Sequence, residues 1–135
     1  MTDTATPTPT TAFDPASVSG AVDAYLAALN ETDADRRAAA TAEAWTDDGT
    51  YRDPLSEVAG PEAISAMVGA IHEQFPGQTF RRTSAIDGHH DVHRFAWELA
   101  DAAGAVTVGG IDIATIAPDG RLAAITAFFG PMAER

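Results

Sequence analysis

Val106-Thr107-Val108-Gly109-Gly110-Ile111-Asp112-Ile113-Ala114-Thr115-Ile116 is rich in β-branched residues and ends shortly before Pro118-Asp119-Gly120. Such a run, closed by turn residues, reads as a β-strand. Successive side chains of a strand point to opposite faces, so Asp112 looks one way while Ile111 and Ile113 look the other. No basic residue lies near Asp112 in the sequence. A carboxyl on a buried strand face must find a partner or hold its proton, because an unpaired buried charge costs far too much.

Outward from this strand the period of two continues. Thr79 to Ile86, Val92 to Leu99 and Leu122 to Phe129 read as three more strands, with turns at Asp87-Gly88, Asp101 to Gly104 and Pro118 to Gly120. The short links predict an antiparallel meander. Before Gly77 the period is helical. Val18, Val22, Tyr25, Leu26 and Leu29 predict a first helix that opens at Asp14-Pro15 and runs to Asn30. A second opens near Thr32 or Asp33, runs to Trp45 and stops at Asp47-Asp48-Gly49. Thr50 to Asp53 forms a short strand broken by Pro54. Gly60-Pro61-Glu62 starts a third helix carrying Ile64, Met67, Val68, Ile71 and Phe75, closed by Pro76-Gly77.

Helices followed by a run of strands predict an α+β fold, three helices against one face of a curved, mostly antiparallel sheet. Such a cone encloses a space whose apolar lining suits a small apolar molecule. The chain has 135 residues, of which 45% are apolar and 21% charged, the composition of one globular domain. That domain is expected over residues 15–135, after a Thr/Pro-rich flexible tail over residues 1–14.

The formal net charge is -12, from 20 acidic and 8 basic residues, and all of the latter are Arg. So acidic a surface repels phosphate backbones and anionic lipid, which argues against nucleic-acid and membrane partners. Without Lys there is no Schiff-base chemistry, and without Cys no thiolate nucleophile or disulfide. No apolar run approaches the roughly 20 residues of a membrane span, and the first residues lack the pattern of a secretory signal. A cytoplasmic protein is the expectation.

Three polar groups stand where apolar ones are expected. Tyr25 lies on the apolar stripe of the first helix, so its hydroxyl needs a partner. Asp53 ends its strand on the face of Tyr51. Asp112 is the third. Alone, Tyr25 also fits a packed core and Asp53 a local turn. Together they suit proton transfer beside a carbonyl: a carboxylate removes a proton, and a phenol and a neutral carboxylic acid donate to the enolate oxygen.

Val22-Asp23-Ala24-Tyr25-Leu26-Ala27-Ala28-Leu29-Asn30, Asp47-Asp48-Gly49-Thr50-Tyr51-Arg52-Asp53-Pro54, Gly110-Ile111-Asp112 and Ala127-Phe128-Phe129-Gly130 resemble the NTF2-like superfamily, in its SnoaL-like and ketosteroid-isomerase-like branch. The resemblance covers about residues 18–131 and implies a cone-shaped fold. It further implies a cofactor-free isomerase or cyclase with Asp53 as general base and Tyr25 and protonated Asp112 as oxyanion donors. Tyr51, Phe95, Trp97, Phe129 and His93 then become substrate-binding residues, in a hollow smaller than a steroid requires. Non-catalytic binding of an apolar metabolite is the alternative. A third reading, a partner-binding domain, predicts a pocket filled by Phe95, Trp97 and Tyr51 themselves.

His89 and His90 read as a polar turn. Adjacent strand residues diverge, so with His93 and Asp91 they are not expected to hold a metal. On the far face of the sheet Ile111, Ile113 and Phe128, with Thr107, Thr115 and Thr126, leave apolar area uncovered by helices, which predicts a homodimer through that face.

Overall fold

A computed structural model describes residues 14–132, 134 and 135; the expected tail, except Asp14, lies outside the described residues. The element order is α1 (Pro15–Asn30), α2 (Ala34–Ala44), β1 (Trp45–Arg52), β2 (Glu57–Ala59), α3 (Pro61–Gln74), β3 (Thr79–Arg82), β4 (Asp87–His89), β5 (Val92–Ala100), β6 (Val106–Ile116) and β7 (Leu122–Phe129). One sheet has the order β2-β1-β7-β6-β5-β3, and β4 also pairs with β5. This is the α+β cone: three helices packed on a curved, mostly antiparallel sheet.

The helix starts follow capping chemistry. Pro15 and Pro61 open α1 and α3, where a missing N–H costs nothing. The Asp33 carboxylate accepts from the Arg36 backbone N–H at 2.9 Å and caps α2. Val22, Tyr25 and Leu29 of α1 and Ile64 and Val68 of α3 pack on Phe95, Leu99, Ile116, Leu122 and Ile125 of the sheet. Between the helices, Arg37 donates through Nε to Ser65 O at 3.2 Å and through Nη1 to Glu31 O at 3.1 Å, tying the α1–α2 turn to α3.

Two expectations are corrected. The second helix ends at Ala44, and Trp45, 1% exposed, opens β1 instead. Burying its ring in the core outweighs one more helical turn. Asp47-Asp48-Gly49 is accordingly no stop signal but part of a register shift in β1 between Trp45 and Thr50. A Cβ at Gly49 would lie 2.6 Å from Trp45 Cε3, so the shift needs a glycine. The expected antiparallel meander holds from β3 through β5 and β6 to β7, and β1, outside it, joins β7 in parallel. Finally, the strand expected over Thr79–Ile86 is split into β3 and β4, both on the same side of β5, and Asp87-Gly88 is strand rather than turn. The turn falls at His90, with φ 54°.

Among the described residues no helix is long and apolar enough to cross a membrane.

Candidate active site

Period two aims Asp112, Ala114 and Ile116 of β6 inward, while the 3.6 period of α1 aims Tyr25 at the sheet. The two meet from 87 residues apart: Tyr25 Oη donates to Asp112 Oδ2 at 3.0 Å. Each is only 3% exposed. Burial pushes the Asp112 carboxyl from 3.8 up to about 7. The Tyr25 hydroxyl and the Trp97 indole N–H oppose that rise, and the Asp53 charge adds to it. Burial first, and the Asp112 charge second, hold the Tyr25 phenol well above its ordinary 10, so it stays protonated and donates.

Trp97 is the diagonal neighbour of Asp112, since Phe95 pairs with Asp112 and Trp97 with Gly110. A Cβ on Gly110 would stand 3.0 Å from Trp97 Cζ2, so the indole lies over the bare backbone of β6. Phe80 and Phe129 flank it with ring centroids 5.8 and 5.9 Å away. The Trp97 N–H is near enough to favour the ionised carboxyl but falls short of hydrogen-bond geometry. Trp97 Nε1 and Asp112 Oδ1 are buried and have no hydrogen-bond partner among the described residues.

Asp53 follows the last residue of β1, where Pro54 breaks the strand. Its Oδ2 accepts from Tyr51 Oη at 2.7 Å and its Oδ1 from the Leu55 backbone N–H at 2.8 Å. Burial, then this bond to Asp53, raises the Tyr51 phenol well above 10. Asp53 is partly exposed, yet its charge raises both Tyr25 and Asp112, so the four groups form one electrostatic cluster.

Tyr25, Tyr51, Trp97 and Asp112 line one cavity with Leu26, Leu29, Met67, Ile71 and Phe80. Its volume is about 20 Å³, room for about one water molecule. The hollow expected to hold a small molecule is therefore nearly closed, with side chains of α1, α3 and the sheet all in its wall. Of the expected lining residues, Tyr51 and Trp97 reach the cavity. Phe95 stands behind it, 6.4 Å edge-on to Tyr25, and Phe129 backs Trp97. His93 is buried on β5 but faces a different hollow, with Pro15, Val18, Ser19 and Arg82. It does not share the Asp112 cavity because two further strand positions carry it toward the start of α1.

Sequence reasoning missed the Tyr51–Asp53 bond and the roles of Leu26, Met67, Ile71 and Phe80. The i, i+4 pair Met67 and Ile71 on α3 was the available signal. His89 Nδ1 and His90 Nδ1 lie 3.0 Å apart on the hairpin, and no metal-binding group of three acidic or His side chains occurs among the described residues.

A family model described as a SnoaL-like domain matches residues 22–125. A candidate isomerase of the SnoaL-like family from Agrobacterium tumefaciens is 33% identical, with a TM-score of 0.80 over 86% of this chain and 99% of that one. A candidate SnoaL-like polyketide cyclase from Jannaschia is 18% identical, with a TM-score of 0.63 over 82% of this chain and 85% of that one. An NTF2-like protein of unknown function from Cytophaga hutchinsonii is 12% identical, with a TM-score of 0.61 over 84% of this chain and 90% of that one. At those identities the last two likenesses concern the fold. Among curated proteins no sequence matches significantly.

Proposed function

The chain belongs to the SnoaL-like domain family, and from that premise we propose that it is a cofactor-free enzyme moving protons on a small, largely apolar carbonyl compound. The observation that carries the reading is the buried Tyr25–Asp112 bond in the wall of an apolar cavity, with the carboxyl held near neutrality. A carboxylic acid at such a site donates a hydrogen bond where a carboxylate cannot.

In the proposed step Asp53 takes a proton from the carbon beside the carbonyl. The electron pair of that C–H bond moves into the carbonyl, and the enolate oxygen accepts from the neutral Asp112 acid, which the Tyr25 hydroxyl holds in place. Return of a proton from Asp53, which can exchange with solvent while it is held there, to another carbon completes an isomerisation with no net redox change. To act, Asp53 lets go of Tyr51, which holds Oδ2 at rest. To enter, substrate displaces Leu26, Met67 and Ile71, since the resting cavity is about 20 Å³. The isomerase named for the Agrobacterium relative supports this reaction class.

The test is solvent-deuterium exchange at the α-carbon of small cyclic ketones, followed by NMR. Asp53→Asn is expected to slow exchange by about 100- to 10,000-fold while leaving the fold unchanged. An undiminished rate in that variant would end the assignment of the base. A second reading, binding of an apolar metabolite without chemistry, is favoured by Asp53 having both oxygens engaged. It predicts ligand binding with no exchange even in the unaltered protein.

The homodimer through the convex sheet face belongs to the same proposal. Ile111 and Phe128 are 37% and 59% exposed there, on neighbouring strands and directly paired in register.

A further inference from the structure

The Tyr25 hydroxyl is spent on Asp112 Oδ2, so in this geometry it is not aimed at a ligand. With Oδ2 accepting, the proton of the neutral acid belongs on Oδ1. Trp97 Nε1, near enough to act on the same carboxyl, is also buried and also without a hydrogen-bond partner among the described residues. Both residues line the same cavity, so its wall carries two donors that lack an acceptor among the described residues. Buried donors seldom stay unpaired, because each forfeits the hydrogen bond it made in water. Their common complement is a single oxygen carrying two lone pairs.

We propose that Trp97 Nε1–H is a substrate-contacting donor which, with the Asp112 Oδ1 acid, brackets the ligand's carbonyl or enolate oxygen. Tyr25 acts behind Asp112 as a positioning residue. This rests on the proton-transfer reading given above and assigns its donors. The indole is held in place on three sides, since Phe80 and Phe129 flank it and the missing side chain of Gly110 lets its ring lie against β6. A donor set in place beforehand stabilises a developing oxyanion without reorganisation cost. Such a pair favours an oxygen whose negative charge grows during reaction. A preformed carboxylate is disfavoured, because it must approach a chain of net charge -12 and the Asp53 carboxylate.

The probe is 4-nitrophenol, whose oxygen mimics an enolate, titrated into the full chain and followed by absorbance and by the two Trp indole N–H proton resonances. Trp45→Phe and Trp97→Phe each assign the resonances, so one well-folded variant suffices. On binding, the Trp97 resonance is expected to move downfield while that of Trp45 stays. Trp97→Phe is expected to bind about 10- to 100-fold more weakly. Tyr25→Phe keeps the Trp97 shift and moves the pH limb of binding upward, because losing that hydroxyl leaves Asp112 protonated to higher pH. Binding with an unmoved Trp97 resonance, or undiminished binding by a folded Trp97→Phe, overturns the donor assignment alone. Absence of any binding overturns the proton-transfer reading and this proposal with it.

Discussion

Along β6 the concave face carries Asp112, Ala114 and Ile116, all buried, whereas the convex face carries Ile111, Ile113 and Thr115, which are not. On the neighbouring strand Ala127 is buried and Phe128 is 59% exposed. Around Asp112 the usual distribution of polarity is thus inverted: a carboxyl lies inside and branched apolar side chains lie outside. Backbone alternation sets only the direction of each side chain; what the neighbours supply decides its cost. Inside, the Tyr25 hydrogen bond and a carboxyl pKa raised by burial reconcile the carboxyl with its surroundings. Outside, no helix among the described residues covers the isoleucines, and the proposed second copy would cover them.

The contrast breaks most severely at Asp112. Its folded pKa, about 7, exceeds the ordinary 3.8, so the native state holds a proton that the unfolded chain has released between those values. Stability from this group is full below about pH 4 and is lost as pH rises through 7. Asp112→Asn removes that dependence, and its stability relative to the unaltered protein should improve by on the order of 4 kcal/mol from pH 4 to pH 8. Urea unfolding of both proteins at the two pH values checks this, and parallel profiles would contradict a buried acid. On the convex side, Phe128→Arg should weaken self-association by roughly 100-fold without unfolding the monomer. Sedimentation equilibrium measures the effect, and an unaltered protein that is monomeric at high concentration removes the need for a cover. The smallest effect sharpens the concave side. Tyr25→Phe should cost about 1–2 kcal/mol in chemical denaturation, and the pH at which Asp112 titrates should rise, as carboxyl-carbon NMR can follow.

Much of the fold was legible because its periods are local. The helical stripe of Val18, Val22, Tyr25 and Leu29 and the alternation around Asp112 each follow from backbone geometry within a few residues. Trp45 misled for the same reason: the helical pattern before it is real, but a ring that fills the core settles its conformation from outside the segment. Asp53 and Tyr51 were placed on one face by period two, and the hydrogen bond between them is the local consequence. His93 shares the parity of Phe95 and Trp97, yet parity is blind to position along the strand, and its hollow lies at the other end.

Element types, inward or outward direction, the acidic charge and the need of Asp112 for a partner are set by residue chemistry and by the fixed repeats of helix and strand. Distance along the chain carries no such repeat. That Tyr25 is the partner 87 residues away, that β1 runs parallel to β7, and that the cavity between helices and sheet is only about 20 Å³ arise from how separate segments pack. Close packing depends on the shapes of surfaces brought together, and those surfaces exist only once the chain has folded.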